Sequence, residues 1–324
     1  MINPTSYQAL LLHALQKGDV IRKTLISGPS VGCEELSQDG QLLAWRYDSE
    51  PDWETGEVLT ELLQTDVELV ICGGGHIALE LATYARRLGY HTTIIDERKE
   101  YCNHERFPSE SCLCAPFEEV LECKQTWIRP YFVIATRGHM FDQVCLQKIL
   151  NLPHRYIGMI GSKTKVAATF SNLLSLGFTQ AQLDQVHSPI GLPIKAVTAA
   201  EIAISILAQI IQTARLTPQA VQLDRNLLTH LAHSRQSYVL ARVIEKTGSA
   251  PCEVGFQLVV FEDGTVEGTI GGGAVEAKAL ETAKQMQKEC TIAEQVAVYN
   301  LSNAKASELG MICGGMVRVL FQRW

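Results

Sequence analysis

The stretch Cys72-Gly73-Gly74-Gly75-His76-Ile77-Ala78 decides the fold of this chain. It follows a short apolar run at residues 67–72, which is typical of a strand buried on both faces, and it opens a helical pattern. Gly73, Gly75 and Ala78 match the GxGxxA turn of dinucleotide-binding domains. In that turn the first glycine permits the tight bend, the second lets a pyrophosphate approach the main chain, and the small third residue lets the helix pack on the strand. The stretch therefore predicts a Rossmann-type nucleotide-binding domain.

An acidic residue stands where such a domain needs one. Asp96 ends the next β-branched strand pattern, about twenty residues after the glycine turn. We expect Asp96 to accept hydrogen bonds from a ribose diol and to repel a 2′-phosphate, which favours an NAD-like ligand over an NADP-like one. Gly74 and His76 complete the expected binding turn, and Arg98 is a candidate to cover an adenine or pterin ring. Two alternatives stay open: a solvated loop around Arg98, and a fold with an empty pocket.

The alternation of strand and helix continues along the chain. Further strands are predicted at residues 131–136 and 155–160, and helices at residues 77–88, 141–150, 164–176 and 199–214. Such alternation implies a parallel sheet that helices cover on both faces. The predicted fold class is therefore α/β, with a doubly wound Rossmann-like sheet at residues 66–215 and a smaller C-terminal α+β domain.

Two later turns carry further candidate contacts. Gly161-Ser162-Lys163 follows a strand and opens a helix, so Ser162 can cap the helix while Lys163 and the free N–H groups attract an anion. His139 lies after another strand, at the end where α/β sheets place their ligand crevice. An ordinary capped helix and a surface-loop histidine explain the same residues without a ligand.

The flanking regions have other patterns. Residues 1–65 are predicted to form an α+β segment, with helices at 7–16 and 56–64 and strands at 20–26 and 41–47. A proline-containing linker is predicted at residues 216–227. Residues 228–324 are predicted to form a domain with strands at 238–245, 256–261, 266–269, 296–299 and 317–321 and a helix at 274–287. We therefore expect three folded parts, with the Rossmann-like part in the middle.

Glycine clusters mark a second candidate site in the C-terminal domain. Gly271-Gly272-Gly273 enters a helix, and such a turn can form an anion-binding nest. Glu276, in the first turn of that helix, is a candidate catalytic carboxylate or a simple complement to the helix dipole. Cys313 directly precedes two glycines, so its thiol would have open approach as a nucleophile or soft ligand. A buried structural cysteine is the alternative for Cys313.

Composition excludes several classes of function. The formal charge of −7 and the pI of about 5.7 argue against a nucleic-acid-binding protein, which needs a basic stripe. No apolar run reaches the about 20 residues of a membrane helix, and no secretory signal is recognised. Ten cysteines without paired zinc-type spacing indicate free thiols in the cytoplasm and no metal site. A homodimer is expected from the general frequency of such assemblies.

In its glycine turns and several motifs around them, the sequence resembles the xanthine dehydrogenase accessory factor family (XdhC/CoxI). The Rossmann block of the family is matched by CGGGHIALELA (72–82), VIATRGH (133–139), YIGMIGSK (156–163) and HSPIGLPI (187–194). Its other block is matched by EGTIGGGAVEAKAL (267–280) and GMICGG (310–315). The resemblance covers most of the chain beyond residue 65.

The resemblance implies that the chain is an accessory protein rather than a stand-alone enzyme. Its client would be a molybdenum hydroxylase similar to xanthine dehydrogenase. Such proteins bind the molybdenum cofactor, a molybdopterin that in some cases carries a dinucleotide. They promote sulfuration of the cofactor, with a sulfur-donating desulfurase as partner, and deliver it to the client enzyme. In this picture the Rossmann crevice holds the nucleotide-bearing cofactor, and Cys313 receives sulfur or contacts molybdenum.

Two features depart from the family pattern. The glycine- and cysteine-rich block follows the Rossmann block, whereas the usual family order is the reverse. Ala274 stands where the family carries a cysteine. Cys252 could replace that thiol only if the loop that contains Cys252 lies next to the loop that contains Ala274.

Two other functions fit the same pocket. The first is an NAD-dependent oxidoreductase, which the absence of a recognisable proton-transfer residue disfavours. The second is a non-catalytic nucleotide-binding assembly module, whose pocket serves no reaction.

Overall fold

The structure is a computed structural model, and it describes residues 4–48, 50–65, 67–123, 127, 130–215, 220–289, 293–300 and 315–324. The helices of these residues are α1 (Pro4–Leu15), α2 (His76–Arg87), α3 (Phe117–Glu122), α4 (His139–Ile149), α5 (Lys163–Ser175), α6 (Gln180–Leu183), α7 (Ala199–Arg215), α8 (Arg225–His233) and α9 (Gly273–Glu289). The strands are β1 (Val20–Leu25), β2 (Glu34–Gln38), β3 (Gln41–Arg46), β4 (Val58–Thr65), β5 (Glu68–Cys72), β6 (His91–Ile95), β7 (Ser111–Leu113), β8 (Tyr131–Ile134), β9 (Tyr156–Met159), β10 (Val186–His187), β11 (Ala220–Leu223), β12 (Tyr238–Thr247), β13 (Gln257–Phe261), β14 (Val266–Thr269), β15 (Glu294–Asn300) and β16 (Met316–Arg323).

The chain divides into two compact units. Asp66–Pro218 form the first, which we call the Rossmann unit, and Met1–Thr65 together with Gln219–Trp324 form the second, which we call the two-sheet unit. Strand β11 pairs in parallel with β4, so the N-terminal and C-terminal parts of the chain share one sheet. The segment 1–65 is thus not separate from the C-terminal part. The segment predicted as a linker, residues 216–227, contains β11 and the start of α8.

The Rossmann unit is built on a six-stranded sheet with the order β10-β9-β8-β5-β6-β7. Every pairing in this sheet is parallel. Counted from β5, the order is 3-2-1-4-5-6, which is that of dinucleotide-binding sheets. This confirms the predicted doubly wound fold. Strand β7, helices α3 and α6 and strand β10 are additions that the sequence pattern did not predict.

Burial explains why the central elements of the Rossmann unit form where they do. Residues 69–72 of β5 are fully buried, as expected for a strand with helices on both faces. Helix α2 buries one stripe, made of Ala78, Leu81, Ala82 and Ala85. The small side chains let α2 approach the sheet closely, with the N-terminus of the helix directly after β5.

The two-sheet unit contains two five-stranded sheets, with the orders β11-β4-β1-β2-β3 and β14-β13-β12-β16-β15. All pairings except β11 with β4 are antiparallel. Helices α1 and α8 contribute to the apolar core of the first sheet, and α9 packs on the second. The second sheet confirms the α+β character predicted for the C-terminal part.

Buried ion pairs tie the N-terminal and C-terminal parts of the two-sheet unit together. The Arg242 guanidinium on β12 donates to Glu34 on β2 at 2.8 Å, and Arg22 donates to Glu61 at 2.9 Å. The Tyr7 hydroxyl donates to the other oxygen of Glu34 at 2.8 Å. The side chains of the ion pairs are at most 3% exposed. Because removal of one partner from a buried ion pair costs about 3–5 kcal/mol, the loss of any one of these side chains would destabilise the unit.

The prediction of a helix at residues 56–64 is wrong, because these residues form β4. Strand β4 lies between β1 and β11, and its Glu61 is 2% exposed against Arg22 and Arg242. Glu61 is thus a buried ion-pair partner on a strand. Strand β2, which was not predicted from the sequence, forms a hairpin with β3 across the turn at Asp39 and Gly40.

No helix in the described residues combines the length and the apolar composition that a membrane span requires.

Candidate functional site

The glycine turn after β5 is shaped by main-chain contacts that exclude larger side chains. Gly73 has φ +112°, and its N–H donates to the carbonyl oxygen of Ile95 at 2.8 Å. A Cβ at Gly73 would overlap the carbonyl oxygen of Ala135, which follows β8. A Cβ at Gly74 would overlap the carbonyl oxygen of Tyr101. The main chain of this turn therefore packs against two neighbouring loops.

Gly75 differs from both neighbours because it faces open space. A Cβ at Gly75 would meet nothing within 4 Å, and no side chain caps the helix that begins after it. The first turn of α2 also contains no acidic residue. The N–H groups of a first helical turn have no acceptor within their own helix, and they attract anions. His76 begins α2 and is exposed, whereas Ala78 is buried against the sheet.

This turn lies at the point where the strand order reverses. Strand β5 has β6 on one side and β8 on the other, and the chain leaves β5 and β8 at the same edge of the sheet. Ligands of doubly wound sheets bind at this point, outside the carboxyl ends of the strands. The open main chain at Gly75 therefore occupies the expected position for a phosphate.

Asp96, which follows β6, is not free to hold a ribose. Its Oδ2 accepts the Gly74 N–H at 2.8 Å and Arg98 Nη2 at 2.8 Å, while Oδ1 accepts Arg98 Nε at 2.9 Å and the Arg98 main-chain N–H at 3.1 Å. The residue is 2% exposed. A carboxylate has about four acceptor positions, and all of them are used. The structure therefore differs from the predicted ribose contact, because Asp96 instead fixes the glycine turn and Arg98.

The electrostatics of Asp96 agree with this role. Burial acts to raise its pKa, but the hydrogen bonds from Arg98 and from the Gly74 N–H outweigh burial and hold the pKa below its usual value. The pKa of Arg98 is raised, mainly by its hydrogen bonds to Asp96. The pair is therefore ionised at neutral pH, and the arginine neutralises the carboxylate that was expected to repel a 2′-phosphate.

A second arginine and an aromatic ring complete this side of the crevice. The guanidinium carbon of Arg98 lies 3.8 Å from the centre of the Tyr101 ring, and that of Arg106 lies 5.4 Å from the same ring. Arg106 Nη2 donates to the carbonyl oxygen of Gly74 at 3.3 Å. Arg106 Nε is buried and has no hydrogen-bond partner among the described residues. Tyr101 and Arg106 were not among the predicted ligand contacts, although basic residues on both sides of a tyrosine were a usable signal.

The loops after β8 and β9 form the other side of this edge. The Thr136 hydroxyl donates to Asp142 at 2.6 Å, and Arg137 pairs with Glu97 at 2.7 Å. His139 begins α4, and its side chain lies outside the described residues.

After β9, the predicted turn has the expected cap. Ser162 accepts the main-chain N–H of Lys165 at 3.4 Å, and Lys163 is exposed at the start of α5. A Cβ at Gly161 would come within 3.2 Å of Val166. The geometry is that of a capped helix, and a ligand role for Gly161, Ser162 and Lys163 stays a prediction.

In the two-sheet unit, the predicted anion nest is already filled by the protein itself. Gly271, Gly272 and Gly273 have φ of +107°, +80° and +68°. The Glu276 carboxylate accepts hydrogen bonds from the Ile270 N–H at 3.0 Å, the Gly272 N–H at 3.1 Å and the Thr269 hydroxyl. The hydrogen bond from Thr269 is the main reason that the pKa of Glu276 is lowered. Glu276 Oε2 therefore holds the glycine turn together, and a catalytic role for Glu276 stays a prediction.

Cys252, the described cysteine next to this turn, does not provide an open thiol. Cys252 adjoins Gly271, as the substitution for the missing family cysteine at Ala274 requires. However, Cys252 is 1% exposed, and burial raises the pKa of its thiol, so it is a poor nucleophile. Cys313 lies outside the described residues. Among the residues that the structure does describe, no group of three or more potential ligands is placed to hold a metal ion.

Comparison with known proteins agrees with the two sequence blocks. The family model described as the XdhC Rossmann domain matches residues 69–210, and the model described as the XdhC and CoxI family matches residues 231–296. Relatives include the uncharacterized protein YqeB of Escherichia coli (strain K12), 29% identical over 224 residues, with 62% of this chain and 40% of YqeB covered. A probable xanthine dehydrogenase subunit of Bacillus subtilis (strain 168) is 28% identical over 161 residues, with 49% of this chain and 47% of the relative covered.

The chain thus spans less than half the length of these two curated relatives. Among solved structures, it is similar to a xanthine dehydrogenase from Bacillus halodurans. The TM-score is 0.52 and the identity 26%, over 63% of this chain and 64% of the other.

Proposed function

The chain belongs to the XdhC and CoxI family of xanthine dehydrogenase accessory factors, and from this premise we propose that it serves a molybdenum hydroxylase as an accessory protein. In this proposal the chain binds the molybdenum cofactor, assists its sulfuration together with a sulfur-donating desulfurase, and inserts it into a xanthine-dehydrogenase-like client. The site of action is the cytoplasm, and the protein acts as a homodimer.

The observation that carries the proposal is the open main chain at Gly75. A pterin cofactor reaches its protein through phosphate, either its own or that of an attached nucleotide, and the uncapped N-terminus of α2 suits such a group. The unpartnered Nε of Arg106 fits an additional anion at the same turn. The residues that would hold the phosphate are the main chain of Gly75 and His76 with the guanidinium of Arg106.

The described residues supply positioning for this task. Asp96 and Arg98 fix the shape of the crevice. His76, the exposed first residue of α2, carries the titratable side chain of this helix that directly follows Gly75. In this proposal Glu276 holds the glycine turn of the two-sheet unit, since its Oε2 accepts three hydrogen bonds from that turn. Cys313 stays our candidate for contact with sulfur or molybdenum.

Co-expression with a molybdenum hydroxylase client tests the proposal. We expect the client to be active and to contain sulfurated cofactor only when this chain is present, and we expect the pterin to co-purify with the chain. Gly75→Val should weaken both effects, and Cys313→Ser should preserve pterin binding but lower client activation. Gly89→Ala, a change at the far end of α2 with open space around it, is the matched control. Full client activity without the chain would reject the proposal.

A further inference from the structure

We infer that the Rossmann crevice recognises a phosphomonoester at the end of β6, where a ribose diol would otherwise bind. The inference rests on the proposed function, since it names the chemical group through which the phosphorylated ligand is held. Two sources share this chemistry: the 2′-phosphate of a nucleotide and the terminal phosphate of a pterin cofactor without a nucleotide.

Asp96 has no free acceptor position for a ribose diol. A ribose diol binds by donating its hydroxyl protons to the acidic residue after the second strand of the fold. Here both oxygens of Asp96 are saturated by Gly74 and Arg98, and the side chain is 2% exposed. A free diol therefore meets the outer side of Arg98, which can only donate hydrogen bonds.

The charges of the two arginines are balanced differently. Arg98 and Asp96 neutralise each other through the ion pair at 2.8 Å. Arg106 has no carboxylate within ion-pair distance among the described residues, and its guanidinium donates a hydrogen bond there only to the carbonyl oxygen of Gly74. One positive charge is therefore uncompensated beside the glycine turn. Its Nε is buried without an acceptor, which costs free energy until an anion supplies one.

The Tyr101 ring positions the two guanidinium groups. Both guanidinium groups stand over the Tyr101 ring, at 3.8 Å and 5.4 Å, so the ring holds their planes in place. Planar guanidinium groups bind phosphate through pairs of hydrogen bonds. In folds of this type an arginine after the second strand accommodates a 2′-phosphate. The arginine pair is thus preorganised for a dianionic phosphate rather than for hydroxyl groups.

The test is a calorimetric titration of the full chain with two matched pairs of ligands. The first pair is NADP⁺ and NAD⁺, which differ only in the 2′-phosphate. The second pair is the pterin cofactor in its phosphomonoester form before and after treatment with a phosphatase. We expect the phosphorylated member of at least one pair to bind about tenfold to a hundredfold more tightly, the range that charge-assisted hydrogen bonds provide. The pair that shows this preference identifies the source of the phosphate.

Variants assign the preference to the two arginines. Arg106→Gln should remove most of the preference. Arg98→Ala should also uncover Asp96, so that NAD⁺ binding improves while NADP⁺ binding weakens. Arg86→Gln removes a positive charge from the last turn of α2, at the opposite end of the helix from Gly75, and should leave both affinities unchanged. Arg98→Lys keeps the charge if Arg98→Ala does not fold.

Equal affinity within both pairs, an unaltered preference in Arg106→Gln, or no measurable binding of any of these ligands would overturn the inference. These results are separate from the test of the proposed function, which is read from client activation. A client that matures without this chain, together with a clear phosphate preference, would reject the accessory role and leave the inference standing.

Discussion

The two glycine turns of this protein look alike in sequence but differ in what occupies their main-chain N–H groups. Each has three consecutive glycines before a helix, at residues 73–75 and 271–273. In the Rossmann unit, Asp96 comes from a neighbouring strand and takes only the Gly74 N–H, so Gly75 stays open. In the two-sheet unit, Glu276 from the following helix takes the Ile270 and Gly272 N–H groups.

The difference has a simple cause in the first turn of each helix. Helix α2 has no acidic residue there, whereas α9 has Glu276. A carboxylate in the first turn reaches back to the main-chain N–H groups before the helix and satisfies them internally. Glycine content shows that a turn is tight, and the acidic residue decides whether the turn is available to a ligand.

The largest effect is expected from alanine at the crowded, left-handed glycines of either turn. In Gly73→Ala and Gly271→Ala the new alanine must adopt a positive φ, and its Cβ overlaps a carbonyl oxygen. That oxygen belongs to Ala135 in the first variant and to Pro251 in the second. We expect each change to lower the free energy of unfolding by about 3 kcal/mol or more, since overpacking and backbone strain add. Urea denaturation of the full chain measures the loss.

Glycines with positive φ but open surroundings provide the control for this prediction. Gly89→Ala and Gly264→Ala place a Cβ that meets nothing within 4 Å, at φ of +77° and +87°. They should cost only about 1 kcal/mol each, from the backbone conformation alone. If these controls lose as much as Gly73→Ala and Gly271→Ala, the crowding of the two turns does not matter.

Removal of the Glu276 carboxylate should make the second turn resemble the first. We expect Glu276→Ala to lower the free energy of unfolding by about 2 kcal/mol, because the Ile270 and Gly272 N–H groups lose a charged acceptor. We also expect added sulfate to stabilise the variant more than the wild type, since the emptied turn can now bind an anion. Thermal unfolding in a sulfate series checks both points. An identical response to sulfate in the two proteins would show that the turn collapses instead.

The sequence allowed the Rossmann unit to be predicted because its signals are local. The glycine turn, the buried strand before it and the buried, alanine-rich face of α2 all lie within about twenty residues. The strand order follows from general rules for such units. The role of Asp96 was not accessible in the same way. Its position predicts a ribose contact, and only the structure shows that Arg98, two residues later, turns back to saturate it.

The two-sheet unit was harder to predict because its decisive contacts are far apart in the chain. The helix predicted at residues 56–64 is strand β4, whose Glu61 is buried beside Arg22 and Arg242, and no local pattern shows these contacts. The pairing of β4 with β11 joins residues near 62 and 220, a separation that no periodicity reveals. Likewise, the sequence suggested an anion nest at 271–273 but could not show that Glu276 fills it.

A substitution at Gly75 separates binding from stability. Gly75→Val introduces a side chain into space where nothing lies within 4 Å of the Cβ, so the free energy of unfolding should change by less than about 1 kcal/mol. The same side chain occupies the place of the phosphate, and the affinity for a phosphorylated ligand should fall by about tenfold or more. Urea denaturation and calorimetric titration of the same sample measure the two quantities. Unchanged affinity in a stable variant would show that the ligand does not touch this turn.

The smallest effect is expected from a change of Asp96, whose carboxylate accepts the Gly74 N–H in the turn after β5. Because the pKa of Asp96 is held below its ordinary value, its contribution to stability is complete above about pH 4 and is lost as the pH falls through the folded-state pKa. Asp96→Asn resembles the protonated form and keeps one acceptor oxygen, so we expect a loss of about 1 kcal/mol at neutral pH. The difference between variant and wild type should shrink only below about pH 4. Thermal unfolding across this pH range measures it, and a difference that shrinks already between neutral pH and pH of about 5 would mean that Asp96 is not held ionised by Arg98 and Gly74.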